Sequence, residues 1–563
     1  MRKKRIAIML GIMLITGWLA ACSGDSAATA DMEEDNTMNT GGSFVHNGKE
    51  AGYSMNTDPQ TDDSRNADVR EGEGYSMNTA TQEKSSALME SMEEAPYMEF
   101  HTEEYNYIKE NGFLSVATSP LSTFGADVDT GSYTNFRRMI KDNYTLQDIP
   151  QGAIRVEEMI NYFDYDIAAA DDSNRFSVDY EIQTCPWKEE NELLMLSIKA
   201  KEVDLESTGN NFIFLIDSSG SMSNDPDKGT LAIKSFKLLA ETLNENDCVS
   251  IVTYSGDSRV VLESCAGDEY DIICDALDSI SFGGGTNGSG GITAAYELAE
   301  KNFMENGNNR VIIASDGDMN LGVTSNAGLT DLITQKKETG VFLTVLGYGS
   351  GNYSDANMES IADAGNGNYY YIDCIDEANR VLVDKLKQTT ITVAKDVKLQ
   401  VEFNPLEVAE YRLIGYENRK MAAEDFEDDT KDGGETGAGQ TVTVLYELVS
   451  AENSDAASDL KYQTDRELTK EALNGEVLTL SVRYKEPDGE KSVEESFVIK
   501  DKDEEMSADF SFAAGVAELG MLLNGSNYAG TASLNSAYEL VDRGSKDNKY
   551  REELGEMIKT LNY

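Results

Sequence analysis

Between about residues 210 and 390 the chain alternates short apolar runs with stretches whose apolar residues recur every three or four positions. The runs Phe212–Ile216, Val249–Tyr254, Arg310–Ser315 and Val341–Leu346 predict strands, and the stretches Thr230–Leu243, Tyr270–Ile280, Ser289–Asn302 and Asp331–Thr339 predict amphipathic helices. Strands this continuously apolar are covered on both faces, so the expected fold class is α/β: a doubly wound, largely parallel sheet with helices on either side. Ahead of it, Tyr133–Lys141 and Arg155–Phe163 predict helices, and Phe176–Gln183 and Glu192–Lys199 predict strands, a small N-terminal α+β module. Behind it the period changes to alternation. Val397–Phe403, Thr441–Leu448 and Val477–Tyr484 predict the strands of a β-rich C-terminal module that closes with helices around Phe510–Leu523, Ala532–Val541 and Tyr550–Leu561. Tyr411–Arg419 reads as a half-buried strand and the acidic run Glu424–Glu435 as a solvated surface loop.

The first 95 residues have no such pattern of buried elements. Met1-Arg2-Lys3-Lys4-Arg5 is basic, Ile6–Leu19 is apolar and uncharged, and Leu19-Ala20-Ala21-Cys22 follows. That order resembles a bacterial lipoprotein signal, cleaved before Cys22 with lipid added to that cysteine. No other segment approaches the ~20 apolar residues of a membrane-spanning helix. Residues 23 to about 95 are polar, and Gly52-Tyr53-Ser54-Met55-Asn56-Thr57 recurs as Gly74-Tyr75-Ser76-Met77-Asn78-Thr79. A tether of this composition has a root-mean-square span of roughly 45 Å. The expected organisation is therefore signal segment 1–21, lipidated Cys22 with tether 22–95, N-terminal module 96–205, α/β domain 206–392 and C-terminal module 393–563.

Charge and composition narrow the functions. Without the four basic residues of the signal, 43 basic side chains face 102 acidic ones, a net of −59. Such a surface repels nucleic acid and anionic lipid. Only His46 and His101 are present, which argues against a histidine-based triad or a histidine-ligated zinc site. Beyond Cys22 remain Cys185, Cys248, Cys265, Cys274 and Cys374, an odd number without zinc-type spacing, expected as buried thiols.

The candidate chemistry sits where two apolar runs end. Phe212–Ile216 runs into Asp217-Ser218-Ser219-Gly220-Ser221, with oxygen-bearing side chains at alternate positions 217, 219 and 221. These are hard donors of the kind that Mg2+, Mn2+ or Ca2+ prefers, although the same spacing suits a turn capping the next helix. Arg310–Ser315 runs likewise into Asp316. In a doubly wound sheet ligands bind beyond the carboxyl ends of the strands, so neighbouring strands would bring both carboxylates to one edge. Gly283-Gly284-Gly285-Thr286-Asn287-Gly288 lies between them in sequence and offers one hydroxyl.

Asp217-x-Ser219-x-Ser221, Thr286 and Asp316 resemble, in order and context, the metal-ion-dependent adhesion site of von Willebrand factor type A domains. The resemblance implies that Ser219 and Ser221 bind the ion directly and that Asp217 and Asp316 act largely through water. Thr286 would bind directly or through water, and a carboxylate from a protein partner would complete the octahedron. Further segments resemble one bacterial lipoprotein family that carries this domain between an N-terminal and a C-terminal module. They are Pro120–Phe124, Asp127–Thr130, Arg155–Phe163, Cys185-Pro186-Trp187, Tyr411–Arg419 and Gly437–Thr443.

Two motifs compete and fail. Gly283-x-Gly285-x-x-Gly288 matches the dinucleotide fingerprint but follows a helix instead of a strand. Asp316-Gly317-Asp318-Met319-Asn320 opens like an EF-hand loop, but Leu321 stands where glycine is needed and no glutamate closes it. Asp127 and Asp129 read as helix-capping and structural residues, not as a second metal pair or a catalytic pair. The expectation is a non-enzymatic, membrane-anchored extracytoplasmic lipoprotein that binds protein partners through Mg2+ or a related ion. The alternative is a scaffold or chaperone-like component of an envelope complex whose flanking modules make the contacts. Binding of an acidic partner should be slow and assisted by salt, because repulsion between like-charged surfaces is screened beyond ~8 Å at physiological ionic strength.

Overall fold

The computed structural model describes residues 109–561 except 127–128, 172, 204–208, 225–227, 306, 318–325, 338, 350–354, 366, 386–387, 389–390, 432, 454–467, 488, 490 and 503–504. The signal, Cys22, the tether, Asp127, Asp318 and Asn320 lie outside the described residues.

In chain order the N-terminal segment supplies β1 (Leu114–Ser115), β2 (Leu121–Gly125), α1 (Gly131–Lys141), α2 (Val156–Asn161), β3 (Phe176–Thr184) and β4 (Glu192–Ala200). The central segment begins with β5 (Asn210–Asp217), α3 (Ser221–Asn224), α4 (Lys228–Ala240), β6 (Cys248–Tyr254), β7 (Ser258–Ala266), α5 (Tyr270–Asp278) and α6 (Gly288–Lys301). It continues with β8 (Asn308–Ser315), α7 (Asn326–Lys337), β9 (Phe342–Tyr348), α8 (Asp355–Ala364), β10 (Tyr369–Ile372) and α9 (Ile375–Asn379), the last running into a π-helical turn at Arg380–Asp384.

The central sheet has the order β10-β9-β8-β5-β6-β7 and is parallel except for β7. Period-2 geometry sorts β5 to two cores. Ile213 and Leu215 pack with Ile292, Met358 and Ile361, while Phe212, Phe214 and Ile216 pack with Phe236, Leu239 and Ile273. The pairing sets Ile216 opposite Ala314 and Asp217 opposite Tyr254. The ends of β5, β6 and β8 thereby share one edge. β7 is largely exposed at the sheet's margin, so it lacks the apolar run that betrays its neighbours.

The C-terminal segment adds β11 (Thr392–Phe403), β12 (Val408–Ile414), β13 (Lys420–Met421), β14 (Thr436–Gly437), β15 (Thr441–Ser450), β16 (Glu476–Lys485) and β17 (Ser492–Lys500). It ends with α10 (Ala508–Leu523), α11 (Leu534–Arg543) and α12 (Lys549–Leu561). Its strands interleave with those that precede the central domain: one sheet is β1-β12-β15-β4-β3 and the other β13-β2-β11-β16-β17. Leu194, Leu196 and Ile198 of β4 face the core between the two sheets, and Leu193 and Met195 face a second core built from α1, α2 and α10–α12. The result is three layers: helices, sheet, sheet.

Several local expectations are corrected. β12 stops at Ile414, because Gly415 and Tyr416 turn the chain with φ of 78° and 61°. A Cβ on Gly415 would lie 2.5 Å from Glu157 Oε2, so the close approach requires glycine. The acidic run near 424–435 keeps most of its carboxylates at the surface, as expected, but its backbone is not free. It folds over Lys398, whose buried ammonium donates to the carbonyls of Asp425 (3.1 Å) and Asp428, and Asp429 pairs with Arg483 at 2.8 Å. Asp129 is structural, as expected, but the N-cap of α1 is Thr130; Asp129 Oδ1 accepts the Tyr369 N–H at 3.0 Å where β10 begins. The five cysteines are thiols, but only Cys185 is fully buried.

Buried ion pairs tie the central domain to the layered body. Arg137 on α1 donates to Asp373 and to Glu377 (2.9 Å), Tyr162 O–H donates to Glu377 at 2.7 Å, and Arg380 lies 3.8 Å from the centre of the Tyr162 ring. Within the layered body, Glu447 of β15 accepts from Arg412 (2.8 Å), Trp187 (3.1 Å) and Asn191 (2.5 Å). Glu447 and these three partners are all buried. Arg412→Met should strand the Glu447 charge and cost about 3–5 kcal/mol, read as a lowered Tm. Arg412→Met combined with Glu447→Leu should recover only part of that loss, because the buried Trp187 and Asn191 donors then lack their acceptor.

Candidate metal centre

The loop after β5 is shaped by its own acid. Asp217 closes the strand, and its Oδ1 accepts the Ser219 N–H at 2.8 Å while Oδ2 accepts the Ser315 hydroxyl at 3.2 Å. The turn this makes brings the Ser219 and Ser221 hydroxyls to 2.9 Å from each other. The glycine loop before α6 is bolted to it: Gly283 N–H donates to Ser218 O (2.7 Å) and Gly220 N–H to Gly284 O (3.1 Å). Asn287 N–H then donates to Ser255 O at 2.5 Å, and the Asn287 side chain caps α6. Thr286 is buried on this loop, two residues beyond Gly284. Asp316 follows β8 as Asp217 follows β5, and both carboxylates are shut from solvent.

Burial raises the Asp217 carboxyl most, and the Asp316 charge adds to it. Hydrogen bonds from Ser219 and Ser315 oppose the rise, and the outcome is about 7. Asp316 Oδ2 receives the Lys228 ammonium, which donates from the start of α4 at 3.3 Å. Tyr254, opposite Asp217, carries a buried hydroxyl without a regular hydrogen bond; burial and the Asp217 charge hold it well above the usual phenol range. Lys228, Tyr254 and Ser315 were invisible to sequence reasoning. A lysine opening a helix and a tyrosine ending a strand are ordinary until the chain is folded around them.

The donor set suits a hard divalent ion: two carboxylates, two touching hydroxyls and a buried threonine on one edge. The edge is flanked by a cavity of about 380 Å³ lined by Ser218, Thr253, Ser255, Arg259, Ser281 and Phe282, among others. A second buried acidic group lies elsewhere, where Asp129, Glu158 and Glu359 bring carboxylate oxygens within 4.8 Å of one another. Two arginines already bridge it: Arg155 to Glu158 (2.6 Å) and Glu359 (2.8 Å), and Arg419 to Asp129 and Glu359 (both 3.1 Å). It reads as a lattice joining three parts of the chain.

The Asp217 shift has a definite sign. Its folded pKa of about 7 exceeds the ordinary 3.8, so the folded, metal-free protein holds this proton more tightly than the unfolded chain. The stabilisation is fully present below the unfolded value and is lost as pH rises through 7. With chelator present, Tm should fall between pH 5 and 8. Asp217→Asn should lessen that slope, the remainder belonging to Glu157, which burial and the Glu417 and Glu158 charges raise to about 8, and excess Mg2+ should offset the Asp217 part above pH 7. Calorimetry across this range checks all three.

Comparison with known proteins fits this arrangement. The chain matches the family described as "von Willebrand factor type A domain" over residues 211–383, "von Willebrand factor" over 99–195, and "Uncharacterized protein YfbK, C-terminal" over 388–563. It is 40% identical over 467 residues to the protein YfbK of Escherichia coli (strain K12), covering 81% of this chain and 80% of that one. Among solved structures, a von Willebrand factor type A protein from Catenulispora acidiphila aligns with 15% identity and a TM-score of 0.38, covering 68% of this chain and 89% of that one. The ArnB paralog VWA2 from Sulfolobus acidocaldarius aligns with 18% identity and a TM-score of 0.35, covering 69% and 98%. Domains of this type serve in protein–protein interaction, are generally non-enzymatic, and often hold a divalent ion. With the central domain and the C-terminal module both matched, and a relative aligned across most of both chains, the chain belongs to the YfbK family of von Willebrand factor type A proteins.

Proposed function

We propose that this protein is a lipid-tethered receptor on the outer face of a bacterial membrane that captures a protein partner through a divalent ion, Mg2+ in the first instance. Asp217, Ser219, Ser221, Thr286 and Asp316 would hold the ion. The ion would supply an open coordination position for an anionic oxygen, most simply a carboxylate of the partner. The observation that carries this reading is the convergence of the Asp217 loop and Asp316 on one sheet edge, with the Ser219 and Ser221 hydroxyls in contact. The chain's own residues do the positioning. Asp217 shapes the serine turn, Ser315 holds Asp217, and the glycine loop clamps the turn from the far side. Cys22 would anchor the chain, and residues 23–95 would act as the tether.

The test is retention of envelope proteins on the immobilised chain, with Mg2+ or with chelator. Wild type should retain a partner only with Mg2+, and Asp217→Ala or Thr286→Ala should lower retention on the order of tenfold. Retention unchanged by chelator and by both variants would remove the ion from the mechanism. The partner's association rate should rise with added salt, since the chain carries a large negative charge. A rate that falls with salt identifies a basic partner instead.

A further inference from the structure

The Lys228 ammonium sits inside the candidate metal centre and not on its rim. Its side chain is 9% exposed and Asp316, its acceptor at 3.3 Å, is 1% exposed. The approach is built into the backbone: Gly349, just past β9, has φ of 84°, and a Cβ there would fall 2.0 Å from Lys228 Cε. Glycine at 349 therefore leaves the channel in which the lysine stem lies. Tyr371 of β10 fixes that turn by donating its hydroxyl hydrogen to Gly349 O at 2.8 Å.

We infer that Lys228 makes ion binding and anion binding depend on each other, and so selects an anionic partner. The inference rests on the metal reading above. Asp217 and Asp316 ionised would balance a divalent ion, and the centre would need no further charge. Lys228 adds one positive charge beside Asp316, so among the described residues the loaded centre carries a surplus of one. In a site this dry that surplus weakens the bare ion's hold. A carboxylate entering the open position cancels the surplus, whereas a neutral oxygen does not. The ion should therefore bind weakly alone and more tightly with an anionic ligand, and by linkage the ligand should bind only with the ion.

Calorimetric titration of the full chain with Mg2+, in acetate and in chloride at equal ionic strength, tests this with acetate as the carboxylate probe. In wild type, acetate should raise Mg2+ affinity severalfold. Lys228→Met, which keeps the stem and removes the charge, should bind Mg2+ alone on the order of tenfold more tightly and lose the acetate effect. Lys228→Arg should retain the acetate effect. If Lys228→Met binds Mg2+ no more tightly than wild type, the inference is overturned. Tighter binding with the acetate effect intact also overturns it, since Lys228 is then only a placeholder that leaves when the ion arrives. Wild type that binds no divalent ion at all overturns the metal reading, and this inference with it.

Discussion

A carboxylate shut away from water with a second acid beside it ionises reluctantly, and the candidate metal centre is organised around that conflict at Asp217. Parallel pairing of β5 with β8 places Asp217 and Asp316 at one edge, and the cores on both faces of the sheet keep that edge rigid and dry. Three responses are visible. Asp217 is raised to about 7, Ser219 and Ser315 donate hydrogen bonds to it, and Lys228 lies against Asp316. A dication would satisfy the same conflict more completely, because it would also use the hydroxyls of the serine turn. The edge thus holds its acids at some cost, which gives a cation a reason to bind.

The layered body around the central domain follows a different economy. Its stability comes from two apolar cores, one between the sheets and one under the helices. Its attachment to the central domain uses buried charge: Arg137 with Asp373 and Glu377, and Arg155 and Arg419 with Asp129, Glu158 and Glu359. Buried ion pairs contribute little net stability compared with apolar contacts of the same size, but an unpaired partner is severely penalised. They therefore fix one docking geometry and reject neighbouring ones. The contacts fall on α8, β10 and the α9–π turn, so the end of the central domain is held in place.

The acidic segment over Lys398 shows the same logic at smaller scale. A lysine that is 1% exposed requires acceptors, and backbone carbonyls of Asp425 and Asp428 provide them. Composition alone marks this segment as a solvated loop, since acids usually face water. What draws it down is one lysine on β11, roughly 30 residues earlier in the chain.

Local pattern was sufficient for the four inner strands of the central domain, because each signal lies within a few residues, but not for the margins β7 and β10 or for α8 and α9. Apolar runs covered on both faces, helical periodicity and the donors at 217, 219, 221, 286 and 316 are all properties of short windows. The marginal strand β7 escaped because it is mostly exposed, with only Val261, Leu262 and Cys265 half-buried against the core, too few to form an apolar run. Gly415 ended β12 early because Glu157, on a helix from the other end of the chain, packs against it. The sequence by itself determined which residues could make strands, helices and a hard-oxygen site. Only the tertiary structure decided that β1–β4 and β11–β17 share sheets, and that Lys228 and Tyr254 stand beside the two aspartates. Strand pairing and buried charge balance join residues tens to hundreds of positions apart, and no local pattern carries that information.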